Sequence, residues 1–152
     1  MERVEIFSLA AIDNAREIPE LCHSELFMHG KETGTIIWGA VLEAAVWVDN
    51  NRYLLFLTDG LLYEDTLNIY LFDIKKGIQE TIKMGATYAD GYFENLEINT
   101  DSVSFDFLGN YRWTVNIFNK PVIRIPFTES WVISRDFRFT TYLKVTKTNI
   151  YK

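Results

Sequence analysis

The chain has 152 residues, with 15 Lys and Arg against 21 Asp and Glu, which gives a formal net charge of −6. This length is typical of one domain, and a hydrophobic fraction of 48% with only three prolines excludes a disordered chain. The acidic balance argues against nucleic-acid binding, because phosphate recognition depends on Lys and Arg. The 4 Trp, 8 Tyr and 11 Phe favour half-buried sheet surfaces.

The N-terminal part of the chain predicts a strand, a helix and an irregular segment. Residues 4–9 form a short apolar run that is typical of a strand. Residues 10–17 are good helix formers, and Pro19 stops the helix after about two turns. Residues 20–34 are polar, contain both histidines and the single cysteine, and end in turn-forming glycines. We therefore expect one short helix followed by a loop.

The rest of the chain predicts mostly strands. The Asp-Asn-Asn sequence at 49–51 predicts a hairpin between two strands at 43–48 and 52–58, because Asn and Asp tolerate positive φ. Residues 53–57 are apolar at both parities, which indicates a central strand that is covered on both faces. Further strands are predicted at 67–73, 78–84, 92–98, 102–107, 111–118, 122–125 and 137–145.

This spacing of strands predicts the fold class. Strands that recur about every 8–12 residues, with tight polar turns, are typical of an antiparallel β-sandwich or barrel. We expect a mainly β fold of about 8–10 strands with one short N-terminal helix. Because no linker or change of composition interrupts the chain, residues 1–152 are predicted to form a single domain.

The charges are distributed unevenly along the chain. Residues 1–50 carry three bases against nine acids, and residues 51–101 carry four against nine. Residues 102–152 carry eight bases against three acids. Two hypotheses follow. Strands from the acidic and basic parts interleave and neutralise each other, or the first hundred residues present an acidic face to a cationic partner.

The two histidines and the single cysteine are candidate reactive or metal-binding groups. His23 and His29 are six positions apart, so only a loop could bring them together as zinc ligands, with Glu20, Glu25 or Glu32 completing the site. Cys22 beside His23 suggests a thiol nucleophile, but adjacent side chains in an extended chain point in opposite directions. Two surface histidines and a buried thiol are the simpler interpretation, so we expect no metal, no cofactor and no enzyme activity. An enzyme that uses a histidine requires both histidines to line one pocket with a carboxylate.

A group of acidic and aromatic residues in two loop regions is the clearest functional signal. Aromatic side chains supply contact area and carboxylates steer a basic partner, so such a group is typical of a protein-binding surface. The alternative is that these residues are ordinary solvated turns. The predicted partner-binding residues are Tyr63, Glu64, Asp65, Asp90, Tyr92, Glu94 and Glu97.

In general character the chain resembles the immunity proteins of bacterial polymorphic-toxin and contact-dependent growth inhibition systems. The segments that carry the resemblance are 36–43 (IIWGAVLE), 53–59 (YLLFLTD) and 93–97 (FENLE). The resemblance implies a toxin–antitoxin partner role, in which the protein binds one cognate toxin, often a basic nuclease, and blocks its active site. We expect the carboxylates to occupy the positions of nucleic-acid phosphates in the toxin.

The alternative function is that of a small carrier, in which a closed barrel encloses one apolar ligand. The single cysteine suits a reducing compartment, and the N-terminus lacks the basic and apolar regions of a secretory signal. The longest nearly uncharged stretch, residues 33–48, is too short for a membrane span. A cytoplasmic protein without a membrane or nucleic-acid partner is therefore expected.

Overall fold

The structure of the chain is a computed structural model that describes residues 1–12, 23–59, 66–85, 91–125 and 129–150. These residues form thirteen β-strands and no helix. The strands are β1 (Glu2–Arg3), β2 (Phe7–Ala11), β3 (His23–Met28), β4 (Lys31–Trp38), β5 (Val41–Trp47), β6 (Arg52–Thr58), β7 (Leu67–Asp73), β8 (Gly77–Met84), β9 (Glu94–Ile98), β10 (Ser102–Asp106), β11 (Tyr111–Ile123), β12 (Ile133–Ser134) and β13 (Thr140–Asn149).

The described strands form three antiparallel sheets. The largest has six strands in the order β1-β5-β6-β7-β8-β12, the second has the order β13-β11-β10-β9, and the third has the order β2-β3-β4. The mainly β, sandwich-like prediction is therefore confirmed, with more strands than expected. The barrel alternative is wrong, because none of the three sheets closes on itself among the described strands.

The six-stranded sheet lies between the other two, and its central strands are therefore buried on both faces. Leu54 and Phe56 of β6 pack in a core cluster with residues of the four-stranded sheet, such as Phe105. Leu55 and Leu57 of the same strand pack in a second cluster with residues of the three-stranded sheet. Alternate side chains of a strand point to opposite faces, so β6 supplies both cores. The central strand predicted at 53–57 is confirmed.

The hairpin predicted around residues 49–51 is also present. Trp47 of β5 pairs with Tyr53 of β6, and Asp49 accepts hydrogen bonds from Arg52 Nε at 2.8 Å and from its backbone N–H at 3.2 Å. Burial raises the pKa of Asp49, but the Arg52 hydrogen bond and charge and the backbone N–H groups of Asn51 and Arg52 outweigh it. The pKa of Asp49 is therefore lowered below its ordinary value.

Two predictions for the N-terminal part are wrong. Ala10 and Ala11, expected to begin a helix, lie in β2 and pair with β3; residues 13–17 of that predicted helix lie outside the described residues. The segment 20–34, expected to be a loop, contains β3 and the beginning of β4. The physical reason is burial, since Leu26 of β3 is fully buried in the second core cluster. This stabilisation comes from distant parts of the chain and overrides local propensity.

The segments predicted as separate strands at 111–118 and 122–125 belong largely to one long strand, β11. Its pairing with β13 shifts register between Ile117 and Val122. Pro121 lies inside this irregularity, where its missing N–H removes no ladder hydrogen bond. A proline therefore marks a bulge here and not the end of a strand.

A buried carboxylate links the six-stranded sheet to the four-stranded sheet. Glu80 of β8 accepts a hydrogen bond from the Thr141 hydroxyl at 2.6 Å and another from the backbone N–H of Tyr142, both in β13. Arg135 Nη1 lies 3.7 Å from the Glu80 carboxylate, and Arg135 Nε donates to Glu129 at 3.0 Å. The Glu80 and Arg135 side chains are almost fully buried, so their charges need compensation, which each provides to the other. Glu129 also pairs with Arg135, and the half-exposed Arg138 lies 3.9 Å from Glu80.

Candidate functional site

Three of the seven predicted partner-binding residues lie in the described part of the chain. Tyr92 precedes β9, and Glu94 and Glu97 lie in β9, at one edge of the four-stranded sheet. All three are exposed, and Tyr92 is 77% exposed. The other four, Tyr63, Glu64, Asp65 and Asp90, lie outside the described residues.

Glu94 and Glu97 lie on the face of the sheet that points away from the core. Glu94 pairs across the strands with Asp106, and Glu97 pairs with Ser104. Val103 and Phe105, which alternate with these residues of β10, point into the core. Directly opposed carboxylates repel each other unless a cation is present. The outer face of β9 and β10 is therefore a cluster of three acids that needs a base.

Arg112 of β11 provides this base. Its Nη1 donates to Asp106 Oδ1 at 2.8 Å, and its Nη2 donates to Glu97 Oε2 at 3.0 Å. Glu94 has no ion pair or hydrogen bond among the described residues. Three carboxylates thus face one guanidinium, so a net charge of about −2 remains. Glu97 and Asp106 share the charge of Arg112, whereas Glu94, beside Tyr92, has no cation among the described residues.

A groove of about 490 Å³ lies next to these residues, and the backbone around it is tightly fixed. Its lining includes Tyr92, Glu94 and Asp106. Leu108, also in the lining, has a φ of 56°, a conformation that bulky side chains rarely adopt. A Cβ atom on Gly91 would lie 2.6 Å from the Leu108 backbone nitrogen, so only glycine allows this approach. Strained, close-packed backbone of this kind often occurs at functional sites.

Asp106 and Arg112 belong to this site but were not among the residues predicted from the sequence. Both occur in alternating strands, where a polar residue is the ordinary outer-face residue. Only the register of β9, β10 and β11 shows that Asp106 lies opposite both Glu94 and Arg112, and the sequence does not reveal this register. At this sheet the structure supports the hypothesis of interleaved charges, because a base from the last third of the chain neutralises an acid from the middle third.

The two histidines do not converge. His23 begins β3, and His29 follows its end, where its N–H donates to the Ile6 carbonyl at 2.8 Å. The length of a six-residue strand, roughly 20 Å, separates them. Among the described residues, no group of three or more His, Cys, Asp or Glu could hold a metal ion. Of the other candidates, Glu25 and Glu32 lie in β3 and β4, and Glu20 and Cys22 lie outside the described residues.

A second concave surface, of about 650 Å³, lies where the three-stranded sheet leaves β8 uncovered. It contains Tyr70, whose hydroxyl accepts from the Trp38 N–H at 2.9 Å and donates to the Trp38 carbonyl at 2.8 Å. Burial raises the pKa of Tyr70 well above its usual range, with a further contribution from the charge of Asp59. The phenol therefore remains protonated at neutral pH and serves to hold β4 against the central sheet.

The segments that carry the resemblance to immunity proteins have different structural roles. Residues 53–57 are almost wholly in the core, and residues 36–43 connect β4 to β5. Only residues 93–97 contribute substantially to the acidic surface. Comparisons with protein-family models, curated proteins and solved structures gave no match. No helix in the described part of the chain is long and apolar enough to cross a membrane.

Proposed function

We propose that this protein is an immunity protein that binds and neutralises a cognate protein toxin through the edge of the four-stranded sheet around Tyr92 and Glu94. The observation that carries the proposal is an exposed aromatic ring beside an unpaired carboxylate on the rim of a fixed groove. Aromatic side chains are enriched at the centres of protein interfaces, and complementary charge accelerates association.

The chemistry of this surface favours a basic toxin, such as a nuclease that holds phosphate groups. Glu94 and the Arg112-bound carboxylates of Glu97 and Asp106 lie on one outer face, at the spacing of paired strands. In the complex, Glu94 takes the position of a substrate phosphate and Tyr92 packs against the toxin. The bound toxin is then unable to admit its substrate.

The test uses the toxin domain encoded directly upstream of the gene, or a toxin domain recovered by pull-down from the native lysate. Association rates are measured by surface plasmon resonance for the wild type and for Glu94→Lys. Reversing one charge about 10 Å from one opposing charge slows association about threefold at about 10 mM salt, and less than twofold at physiological salt. A toxin with several bases in its site gives a larger effect.

Glu32→Lys is the matched control. Glu32 is exposed on β4 of the three-stranded sheet, on the far side of the central sheet, and its reversal changes the net charge equally. We expect wild-type association from this variant and full protection of the toxin's substrate in an activity assay. Equal rates for all three proteins at every salt concentration contradict the electrostatic mechanism. A basic toxin that retains its activity in the presence of the wild-type protein contradicts the immunity function.

A further inference from the structure

A groove of about 530 Å³ runs along β13, at the opposite edge of the four-stranded sheet from β9. Four consecutive residues of β13, 143–146, line this groove. Consecutive side chains in a strand point to opposite faces of the sheet. A groove lined by four residues in a row therefore follows the edge of the strand and not one of its faces. Among the described strands, β13 is the outermost on this side.

Backbone groups of β13 point into this groove. The N–H of Leu143 donates to Thr141 Oγ1 at 3.0 Å, and its carbonyl accepts from Arg135 Nη1 at 3.0 Å, so both bonds are made away from β11. In an antiparallel strand, the N–H and C=O of one residue point to the same side, and this side alternates along the chain. The N–H and C=O of Val145 therefore also point away from β11. Arg135 caps the edge at Leu143, and no described residue pairs with the edge from Val145 onward.

The remaining lining of the groove is apolar and basic. Ile123 and Ile125 line it and are 83% and 67% exposed. Three of the described lining residues are basic, but Arg124 and Arg135 both pair with Glu129, and Arg135 also pairs with Glu80. Lys144, which is exposed and has no ion pair among the described residues, therefore carries the positive charge of the groove. The groove thus combines an open strand edge, apolar contact area and the positive charge of Lys144.

We propose that this groove binds an extended, acidic segment of a partner protein, which adds a strand to the edge of β13. Hydrogen bonds to Val145 supply the pairing, apolar side chains of the segment contact Ile123 and Ile125, and its carboxylates approach Lys144. Lysines beside an open edge discourage pairing with neutral or basic strands, so the same charge selects an acidic one. This site lies apart from the proposed toxin contact and does not depend on it.

The test titrates the full-length, isotope-labelled protein with a short blocked peptide of alternating Val and Glu, and with its Val and Lys counterpart. We expect saturable binding of the acidic peptide and at least about tenfold weaker binding of the basic one. Strand addition protects the Val145 and Lys147 amide protons from exchange. The amide protons of Lys144 and Thr146 do not change, because they already face β11.

Two matched variants locate the site. Ile123→Ser weakens binding of the acidic peptide about fivefold, because an exposed isoleucine is removed from the groove without a loss of core packing. Ile36→Ser, which alters an isoleucine 61% exposed on β4, leaves the affinity unchanged. The proposal is overturned by an absence of saturable binding up to about 1 mM, by equal affinities of the two peptides, or by protection at other amides. Self-association of the protein that Ile123→Ser abolishes also overturns it, since the occupant is then a second copy of the chain.

Discussion

Removing the charge of Glu80 tests the polar cluster that joins two of the sheets. Glu80→Gln preserves the size of the side chain, and a carboxamide can still accept from the Tyr142 N–H and donate to the Thr141 hydroxyl. The variant therefore removes mainly the negative charge. Arg135, whose side chain is only 5% exposed, then keeps one carboxylate partner, Glu129.

The size of the effect follows from this burial. Removing one partner of a buried ion pair costs about 3–5 kcal/mol when the other charge is left uncompensated. Because Glu129 continues to neutralise Arg135, we expect Glu80→Gln to lower the free energy of unfolding by about 2–3 kcal/mol. Glu80→Ala also removes two hydrogen bonds, which raises the loss to about 4 kcal/mol.

Urea denaturation at low and high salt is the appropriate assay, because urea does not screen charges. The matched control is Glu43→Gln, in which the carboxylate likewise accepts from a threonine hydroxyl, that of Thr58, at 2.7 Å. No ion pair to Glu43 is found among the described residues, so we expect a loss below about 1 kcal/mol. Equal losses for Glu80→Gln and Glu43→Gln, or an effect of Glu80→Gln that salt abolishes, would refute the role of buried charge.

Two further predictions concern the backbone and the pH dependence of stability. Gly39→Ala lowers the free energy of unfolding by about 3 kcal/mol, because a Cβ at φ 127° would lie 2.7 Å from Leu57 Cβ. Gly30→Ala, where φ is 75° and the space is open, lowers it by about 1 kcal/mol. Thermal and urea unfolding of the two variants checks this difference. Asp49→Asn destabilises the protein at neutral pH by at most about 1 kcal/mol, because the ion pair with Arg52 is partly exposed. The pKa of Asp49 is lowered on folding, so its contribution is present above the unfolded-state pKa and is lost as the pH falls through the folded-state pKa. Unfolding curves that differ equally at pH 7 and in strong acid contradict this assignment.

The β-rich part of the fold was predictable from local patterns. Residues 53–57 are apolar at both parities because β6 has a core on each face. Alternation in residues 102–107 separates Val103, Phe105 and Phe107, which pack in the core, from the polar residues of the outer face. The three-stranded sheet was not predictable in this way. Leu26 lies in a polar segment, and its burial depends on Ile37 and on the central sheet, which are distant in the sequence.

The candidate site was only partly predictable for a similar reason. Tyr92 and Glu94 stand out in the sequence because acids and aromatics occur together in a short segment. Asp106 and Arg112 belong to ordinary alternating strands, and only the register shows that Arg112 lies between Glu97 and Asp106. Sequence patterns identify the side chains at a surface, whereas their pairing decides which of them keep an unneutralised charge.

This distinction explains how the basic last third of the chain can serve two opposite surfaces. Arg112 and Arg135 are used internally, on Glu97 and Glu80, so they reduce the acidity of the middle third without creating a basic face. Lys144 has no ion pair among the described residues and leaves the β13 edge positive. One sheet therefore presents an acidic edge at β9 and a basic edge at β13. Charge reversal at Glu94 and at Lys144 should impair binding to different partners, and loss of both interactions from either variant alone would show that the two edges form one site.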